Sequence, residues 1–200
     1  MKVSDNIPEP ISWQNAGEIT AELLGRLTAL AEETVESLDA QNGVYVVTYD
    51  GSDLGFGLSG SDTTEDKIVY VGVSKFNSSR HFKSGSTGTS TLRRSLGALL
   101  ANRLELLPIP RSNDTEDVDR YNNYAFDTAS EDTLTDWIRT NFKVSFMQLE
   151  KKDTDPTYLG LIVYNAPIFN FQNNPDNRYG TQIKQARKKC EQAAANYDLK

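Results

Sequence analysis

Apolar side chains recur at every third or fourth position along residues 16–39, which predicts one long amphipathic helix. Directly after this helix, residues 44–49 are rich in valine and tyrosine, and residues 68–73 repeat that composition. β-Branched and aromatic residues favour strands, and the segment 50–66 between the two runs is dominated by glycine, serine and acidic residues that break them. The pattern therefore predicts a helix followed by a β-hairpin.

The second half of the chain adds mostly helices. Regularly spaced leucines predict a helix beginning near residue 91, and the polar segment 108–130 indicates a loop or small insert. Aspartate caps helices and proline fits the first helical turn, so we expect a helix to start at Asp155. The remaining predicted elements are a helix around 131–142, a third strand at 143–150 and a last helix at about 180–196.

This order of elements indicates an α+β fold, because the first two strands form a hairpin and do not alternate with helices. We expect a helical N-terminal extension at 1–40, a main domain at 41–175, and a C-terminal helix within 176–200 that packs on it. No apolar run approaches the roughly 20 residues that span a bilayer, so we expect no membrane segment. The first residues lack the features of a secretion signal, which leads us to expect a cytoplasmic protein.

The charge of the chain narrows the classes of function. With a net charge of −7, the chain does not resemble a protein that coats nucleic acid through a uniformly basic surface. Basic residues nevertheless concentrate at 75–111 and again at 184–192. Each island is either a solvated face or an anion-binding surface. The single cysteine, Cys190, excludes an internal disulfide and a cysteine-rich metal site, and we expect a small buried thiol.

Two short motifs and the segments that follow them resemble a known family. The motifs are "GVY" at 43–45 and "YVG" at 70–72, and a basic segment containing Arg80 comes next. The run "GSTGTSTLRRSLGALL", then "DWIRTNFKVSF", and finally "LIVYNAPIFN" at 161–170 complete the set. In this order, across 43–175, they resemble the GIY-YIG nuclease superfamily, and in particular its restriction and repair members. The resemblance implies a three-stranded antiparallel sheet flanked by helices, DNA as the partner and Mg²⁺ or Mn²⁺ as the cofactor.

The resemblance also implies a set of catalytic residues. Cleavage of a phosphodiester needs an oriented water, a cation on the phosphate oxygens and a stabilised leaving group. By this resemblance Tyr45 orients the water or acts as a general base, Tyr70 is its partner, and Arg80 clamps the phosphate. Asn170 matches the asparagine that braces the family site. Ordinary strand packing with a hydrogen-bonded hydroxyl is the alternative for each tyrosine.

Arg80 and the only histidine, His81, allow two alignments with the family. In the first, Arg80 is the phosphate clamp. In the second, Asn77 takes the position of the family arginine and His81 becomes a candidate base, a role that suits the pKa of histidine. His81 could equally be a surface residue without a role.

The loop at 85–90 and the start of the next helix offer backbone N–H groups, hydroxyls and cations to a DNA phosphate. The predicted nucleic-acid-binding residues are Lys75, Lys83, Ser86, Thr87, Arg93 and Arg94.

The expected metal ligand departs from the family. The resemblance places a glutamate at the position of Tyr158, and a protonated phenol cannot replace a carboxylate on Mg²⁺. Asp155, one turn earlier, could substitute only if the start of the helix is displaced, and is otherwise the helix cap. Two functions follow from this departure. The chain is either a metal-dependent DNA endonuclease, or a degenerate module of the same fold that binds nucleic acid or a protein partner.

Overall fold

The computed structural model describes residues 15–49, 54, 67–74, 78–175 and 177–197. An antiparallel sheet of four strands lies at its centre, with the order β1-β6-β2-β3, and a separate two-stranded ribbon is formed by β4 and β5. The strands are β1 (Thr28–Ala29), β2 (Gly43–Tyr49), β3 (Lys67–Ser74), β4 (Pro108–Ile109), β5 (Ala125–Phe126) and β6 (Phe142–Gln148). The α+β class and the predicted hairpin are confirmed, but the main sheet has four strands where three were expected.

Six α-helices surround the sheet in the described part of the chain. They are α1 (Ala16–Leu24), α2 (Glu32–Ala40), α3 (Thr91–Leu100), α4 (Thr128–Asn141), α5 (Lys151–Asn165) and α6 (Gly180–Tyr197). None of these helices is both long and apolar enough to cross a membrane.

The sheet has a hydrophobic core on each face. Successive side chains of β2 alternate between them, because residues one apart on a strand point to opposite faces. Tyr45 and Val47 join the larger core, with side chains of α2, α3, α4 and α6, whereas Val44 and Val46 join a smaller core with side chains of α1 and α5. β2 is therefore buried along its whole length.

The single helix predicted at 16–39 is wrong, because the chain crosses the edge of the sheet there. Helix α1 ends before Gly25, and Thr28 of β1 then pairs with Val144 of β6. Leu23, before the crossing, lies in the smaller core, and Val35, after it, lies in the larger one. One straight helix could not place these two residues on opposite faces of a sheet. Part of the predicted N-terminal extension thus completes the sheet.

Helix α5 begins four residues earlier than predicted, with Glu150 at its N-cap in place of Asp155. Asn42 explains the earlier start: its side-chain amide donates to the hydroxyl of Thr154 at 2.8 Å and to the carbonyl of Leu149 at 2.9 Å. These bonds tie the first turn to the residue before β2. Asp155 is consequently a residue of the helix and not its cap.

Candidate active site

The glycines of both motifs are required by close packing. Tyr45 and Gly72 are direct partners across β2 and β3, and the ring of Tyr45 lies over Gly72 so closely that a Cβ there would be less than 3.0 Å from three of its atoms. At Gly43, a Cβ would meet the carbonyl oxygen of Met147 in the neighbouring strand β6. The tyrosine of one strand thus needs the glycine of the other, because a larger residue would displace the ring.

Tyr45 and Tyr70 lie on the same face of the hairpin, as diagonal cross-strand neighbours. Their ring centroids are 6.1 Å apart, and their hydroxyls are hydrogen-bonded. Burial raises the pKa of Tyr45 well above its usual value and raises the pKa of Tyr70 to about 12, while the charge of Arg80 partly opposes both shifts. Both phenols are therefore neutral near pH 7 and act as hydrogen-bonding groups, not as phenolates.

The two tyrosines form one wall of a cleft of about 320 Å³. Its lining residues come from β2, β3, a 3₁₀ turn at Ser78–His81, and α5. They are Tyr45, Tyr70, Gly72, Val73, Ser78, Arg80, His81, Asp155 and Tyr158. Four of the five predicted catalytic residues thus line the same cleft.

Arg80 is half-buried at the cleft, on the 3₁₀ turn. Its Nε donates to the carbonyl of Thr89 at 3.4 Å, and the turn is held by Asp39, which accepts a hydrogen bond of 2.9 Å from the backbone N–H of Ser79. Arg80, the phosphate clamp of the first alignment, therefore lies at the cleft. Asn77, the arginine position in the second alignment, and Lys75 lie outside the described residues.

His81 is buried, so the alternative of a surface residue without a role is wrong about its position. Its Nδ1 lies 2.7 Å from Oγ of Ser90, which also caps α3 by accepting the backbone N–H of Arg93 at 3.1 Å. Burial, assisted by the nearby cations Arg80 and Arg93, lowers the pKa of His81 to about 3. The imidazole is therefore neutral at pH 7, and Nε2 is the ring nitrogen that is not bound to Ser90.

We expect the ring carbon signals of His81, the only histidine in the chain, to show no titration between pH 5 and 8 by NMR. The unfolded chain takes up a proton near pH 6.5 and the folded chain only near pH 3, so stability falls as the solution is acidified through this window. Between pH 7 and pH 5 the contribution of His81 lowers the free energy of unfolding by about 2 kcal/mol. This contribution should be absent in His81→Gln. A folded-state titration near pH 6.5 would contradict the buried position.

Asn170 braces the cleft from below and does not line it. Its side-chain oxygen accepts the backbone N–H of Val71 at 2.9 Å, and its amide nitrogen donates to the carbonyl of Val71 at 2.8 Å. The side chain thus pairs with β3 as a neighbouring strand would, between Tyr70 and Gly72. It also hydrogen-bonds the hydroxyl of Tyr158.

The predicted nucleic-acid-binding residues divide by burial. Lys83 is exposed and Ser86 half-buried, whereas Thr87, Arg93 and Arg94 are buried. Arg93 donates from Nε to Oγ1 of Thr87 at 3.2 Å. Arg94 donates from Nη1 to the backbone carbonyl of the same threonine at 2.9 Å. Because these donors point into the protein, they hold the loop together and are not presented to a phosphate.

Glu131 is a partner of this loop that the sequence did not indicate. Its carboxylate lies 2.6 Å from Nη2 of Arg93, and it accepts the backbone N–H of Gly85 at 3.2 Å. The side chains of both charged residues are at most 4% exposed. No sequence signal distinguishes this glutamate from its neighbours in an amphipathic helix.

The residues of the cleft offer one ligand for a divalent cation. Tyr158, at the position of the expected glutamate, is half-buried, and burial raises the pKa of its hydroxyl, so it is not a ligand at neutral pH. Asp155 is exposed and is the one carboxylate among the described residues that line the cleft. The described residues contain no cluster of three or more typical ligands. One carboxylate fits Mg²⁺, which keeps several waters and uses substrate phosphates as further ligands.

A tyrosine pair, an arginine and a carboxylate thus line one cleft of an α+β protein, on an antiparallel sheet between helices. The family model of the GIY-YIG catalytic domain matches residues 57–189, which is more than half of the chain, and the protein belongs to this family. Nuclease-like function, nucleic acid binding and dependence on a metal are general to it. Tyr45 precedes the matched residues in the chain. It nevertheless lies beside them in the fold, because it pairs across the strands with Gly72, which is within the match. No curated protein and no solved structure matches the chain.

Proposed function

We propose that the protein is a metal-dependent DNA endonuclease of the restriction or repair type, and that the cleft is its active site. The observation that supports this function most is the convergence of Tyr45, Tyr70, Arg80 and His81 on one opening. These residues come from two strands and a separate 3₁₀ turn, and simple core packing does not require an arginine and a histidine to meet two tyrosines.

Each residue has a role that its position allows. Arg80 pairs with the non-bridging oxygens of the scissile phosphate, because guanidinium groups bind phosphate through two parallel hydrogen bonds. The hydrogen-bonded hydroxyls of Tyr45 and Tyr70 orient the attacking water while remaining protonated. Nε2 of His81 supplies a neutral hydrogen-bonding group at the cleft, because an imidazole with a pKa of about 3 is too weak a base to take up a proton near pH 7. A bound divalent cation would supply charge neutralisation at the phosphate, with Asp155 as the carboxylate that holds it.

We expect the protein to nick supercoiled plasmid DNA in Mg²⁺ or Mn²⁺, and Tyr45→Phe and Arg80→Ala to lower the rate by about 100-fold each, as for loss of a single transition-state contact. Tyr164→Phe is the matched control, because this tyrosine is 59% exposed and lies on α5 outside the cleft lining. The measurement is the initial rate of conversion to the open-circular form. Equal rates for Tyr45→Phe and Tyr164→Phe would contradict the proposed site.

A second function is favoured by Tyr158 alone: a module of the same fold that binds nucleic acid or a protein partner without cleaving DNA. In that case the plasmid remains intact in every variant. Arg80→Ala would still weaken binding of a fluorescent duplex, because the phosphate contact does not depend on turnover. Duplex binding that is unaffected by Arg80→Ala, together with an intact plasmid, would favour a protein partner.

A further inference from the structure

We propose that Ser90 is a positioning residue that holds His81 in the tautomer with the ring proton on Nε2, so that His81 donates a hydrogen bond to the scissile phosphate. The role in cleavage rests on the proposed function, whereas the tautomer is a property of the protein alone. A neutral imidazole has one N–H and one bare nitrogen, and the partner of one nitrogen decides which carries the proton. The direction of the hydrogen bond between Nδ1 and Ser90 therefore decides what the ring offers to the cleft.

The hydroxyl of Ser90 meets two groups in the described part of the chain. The first is the backbone N–H of Arg93 at 3.1 Å, and because an N–H group only donates, Oγ is the acceptor of this bond. The second is Nδ1 of His81 at 2.7 Å. Ser90 is fully buried, so its hydroxyl does not turn to water for a further partner.

The hydroxyl proton of Ser90 is therefore directed at Nδ1. A buried hydroxyl whose proton has no acceptor forfeits the hydrogen bond that it makes with water in the unfolded chain. If Nδ1 carried the ring proton, Oγ would accept two N–H groups, from His81 and from Arg93, and its own proton would stay buried without an acceptor. The opposite arrangement satisfies all three groups. It leaves Nδ1 as a bare acceptor and places the ring proton on Nε2.

The surroundings of the imidazole suit a donor. The ring of Tyr70 packs edge-to-face on His81 with centroids 5.5 Å apart, which restricts the plane of the imidazole. His81 lines the cleft together with Arg80, whose guanidinium also only donates. A neutral N–H beside this cation adds a hydrogen bond to the phosphate oxygens without placing a second positive charge next to the first. Ser90 thus joins the cap of α3 to the chemistry of the cleft.

Long-range ¹H–¹⁵N correlation NMR of the untagged, ¹⁵N-labelled protein at pH 7 reads the tautomer directly, because protonated and bare ring nitrogens resonate far apart. His81 is the only histidine, so its signals need no assignment. We expect Nε2–H in the wild type. In Ser90→Gly we expect the two nitrogen signals to move toward each other as the tautomers mix. Glycine caps a helix nearly as well as serine, so α3 should be retained.

Asp127→Gly is the matched control for the loss of a capping side chain. Asp127 caps α4 by accepting the backbone N–H of Ser130 at 2.9 Å, and it does not line the cleft. We expect this variant to keep the wild-type signals of His81. Circular dichroism melting of both variants checks that the fold is retained.

The outcomes separate this inference from the proposed function. Nε2–H in the wild type and its mixing in Ser90→Gly support the role of Ser90 in setting the tautomer, even if plasmid DNA stays intact and the endonuclease function fails. A proton on Nδ1 in the wild type, or an unchanged tautomer in Ser90→Gly, would overturn it while the endonuclease function stands. If the wild type nicks DNA, kcat should fall about tenfold in Ser90→Gly with little change in KM, and an unchanged kcat would overturn the positioning role.

Discussion

Glu131→Ala is expected to lower the free energy of unfolding by about 3–5 kcal/mol, because it leaves the buried guanidinium of Arg93 without its anionic partner. Burial already lowers the pKa of Arg93, and Glu131 is the interaction that opposes this shift. The same substitution removes the acceptor for the N–H of Gly85. Urea unfolding monitored by circular dichroism measures the loss.

The matched control is a second ion pair of the same length on the protein surface. Arg26 and Glu22 are also 2.6 Å apart, but their side chains are 62% and 45% exposed. Glu22→Ala should therefore cost only a few tenths of a kcal/mol, as is usual for exposed ion pairs. If the two glutamate substitutions lower stability equally, the pair between Arg93 and Glu131 does not hold the loop as its geometry indicates.

This pair affects the cleft through the loop at 85–90. Ser90, at the end of the loop, contacts His81, and Thr89 accepts the hydrogen bond from Arg80. Arg93, which contacts Thr87 and Glu131, anchors the loop from behind. We infer that the buried arginine serves the site indirectly, by fixing the residues that position its cation and its histidine.

Asn170→Ala has the second largest expected effect, a loss of roughly 2–6 kcal/mol, because each of two buried backbone groups left without a partner costs about 1–3 kcal/mol. Both groups belong to Val71, between Tyr70 and Gly72. Urea unfolding gives the size of the effect. Gln172→Ala is the control, since Gln172 is exposed two residues later and should change stability little.

Asn170→Asp refines this prediction. Aspartate keeps an acceptor for the N–H of Val71, but as a carboxylate it cannot donate to the carbonyl. Its pKa is therefore raised in the folded state, and the stabilising protonated form is present below about pH 4 and lost as the pH rises. Relative to wild type, the variant should recover stability on acidification. A pH-independent deficit would contradict the bidentate arrangement.

Much of the fold followed from local patterns. The hairpin was predictable because valine and tyrosine runs flank a segment of strand-breaking residues, and the strand at 142–148 because it alternates. The division of residues 16–39 into two helices, α1 and α2, was not predictable from the sequence. Leu23 and Val35 fit one helical stripe equally well, and only the position of the β6 edge shows that they belong to different cores.

The candidate site was predictable to a different degree for each residue. The order of the motifs indicated Tyr45, Tyr70 and Arg80, and the structure brings them to one cleft. Arg93 and Arg94 were predicted to bind DNA because they follow a loop that opens a helix N-terminus, a place suited to a phosphate. Their burial depends on partners far away in sequence, such as Glu131, which no local pattern announces.

The sequence by itself determined the hairpin of β2 and β3 and the motif residues on it, because two runs of valine and tyrosine flank a segment of strand-breaking residues. The packing of Tyr45 on Gly72 across that hairpin was seen only in the structure. The tertiary structure alone decided which carboxylate faces the cleft. Asn42, more than 100 positions from Thr154 in the chain, holds the helix start at Lys151 and thereby places Asp155 inside the helix. A helix end is set by whichever partner satisfies its terminal backbone and side-chain groups, and that partner was visible only in three dimensions.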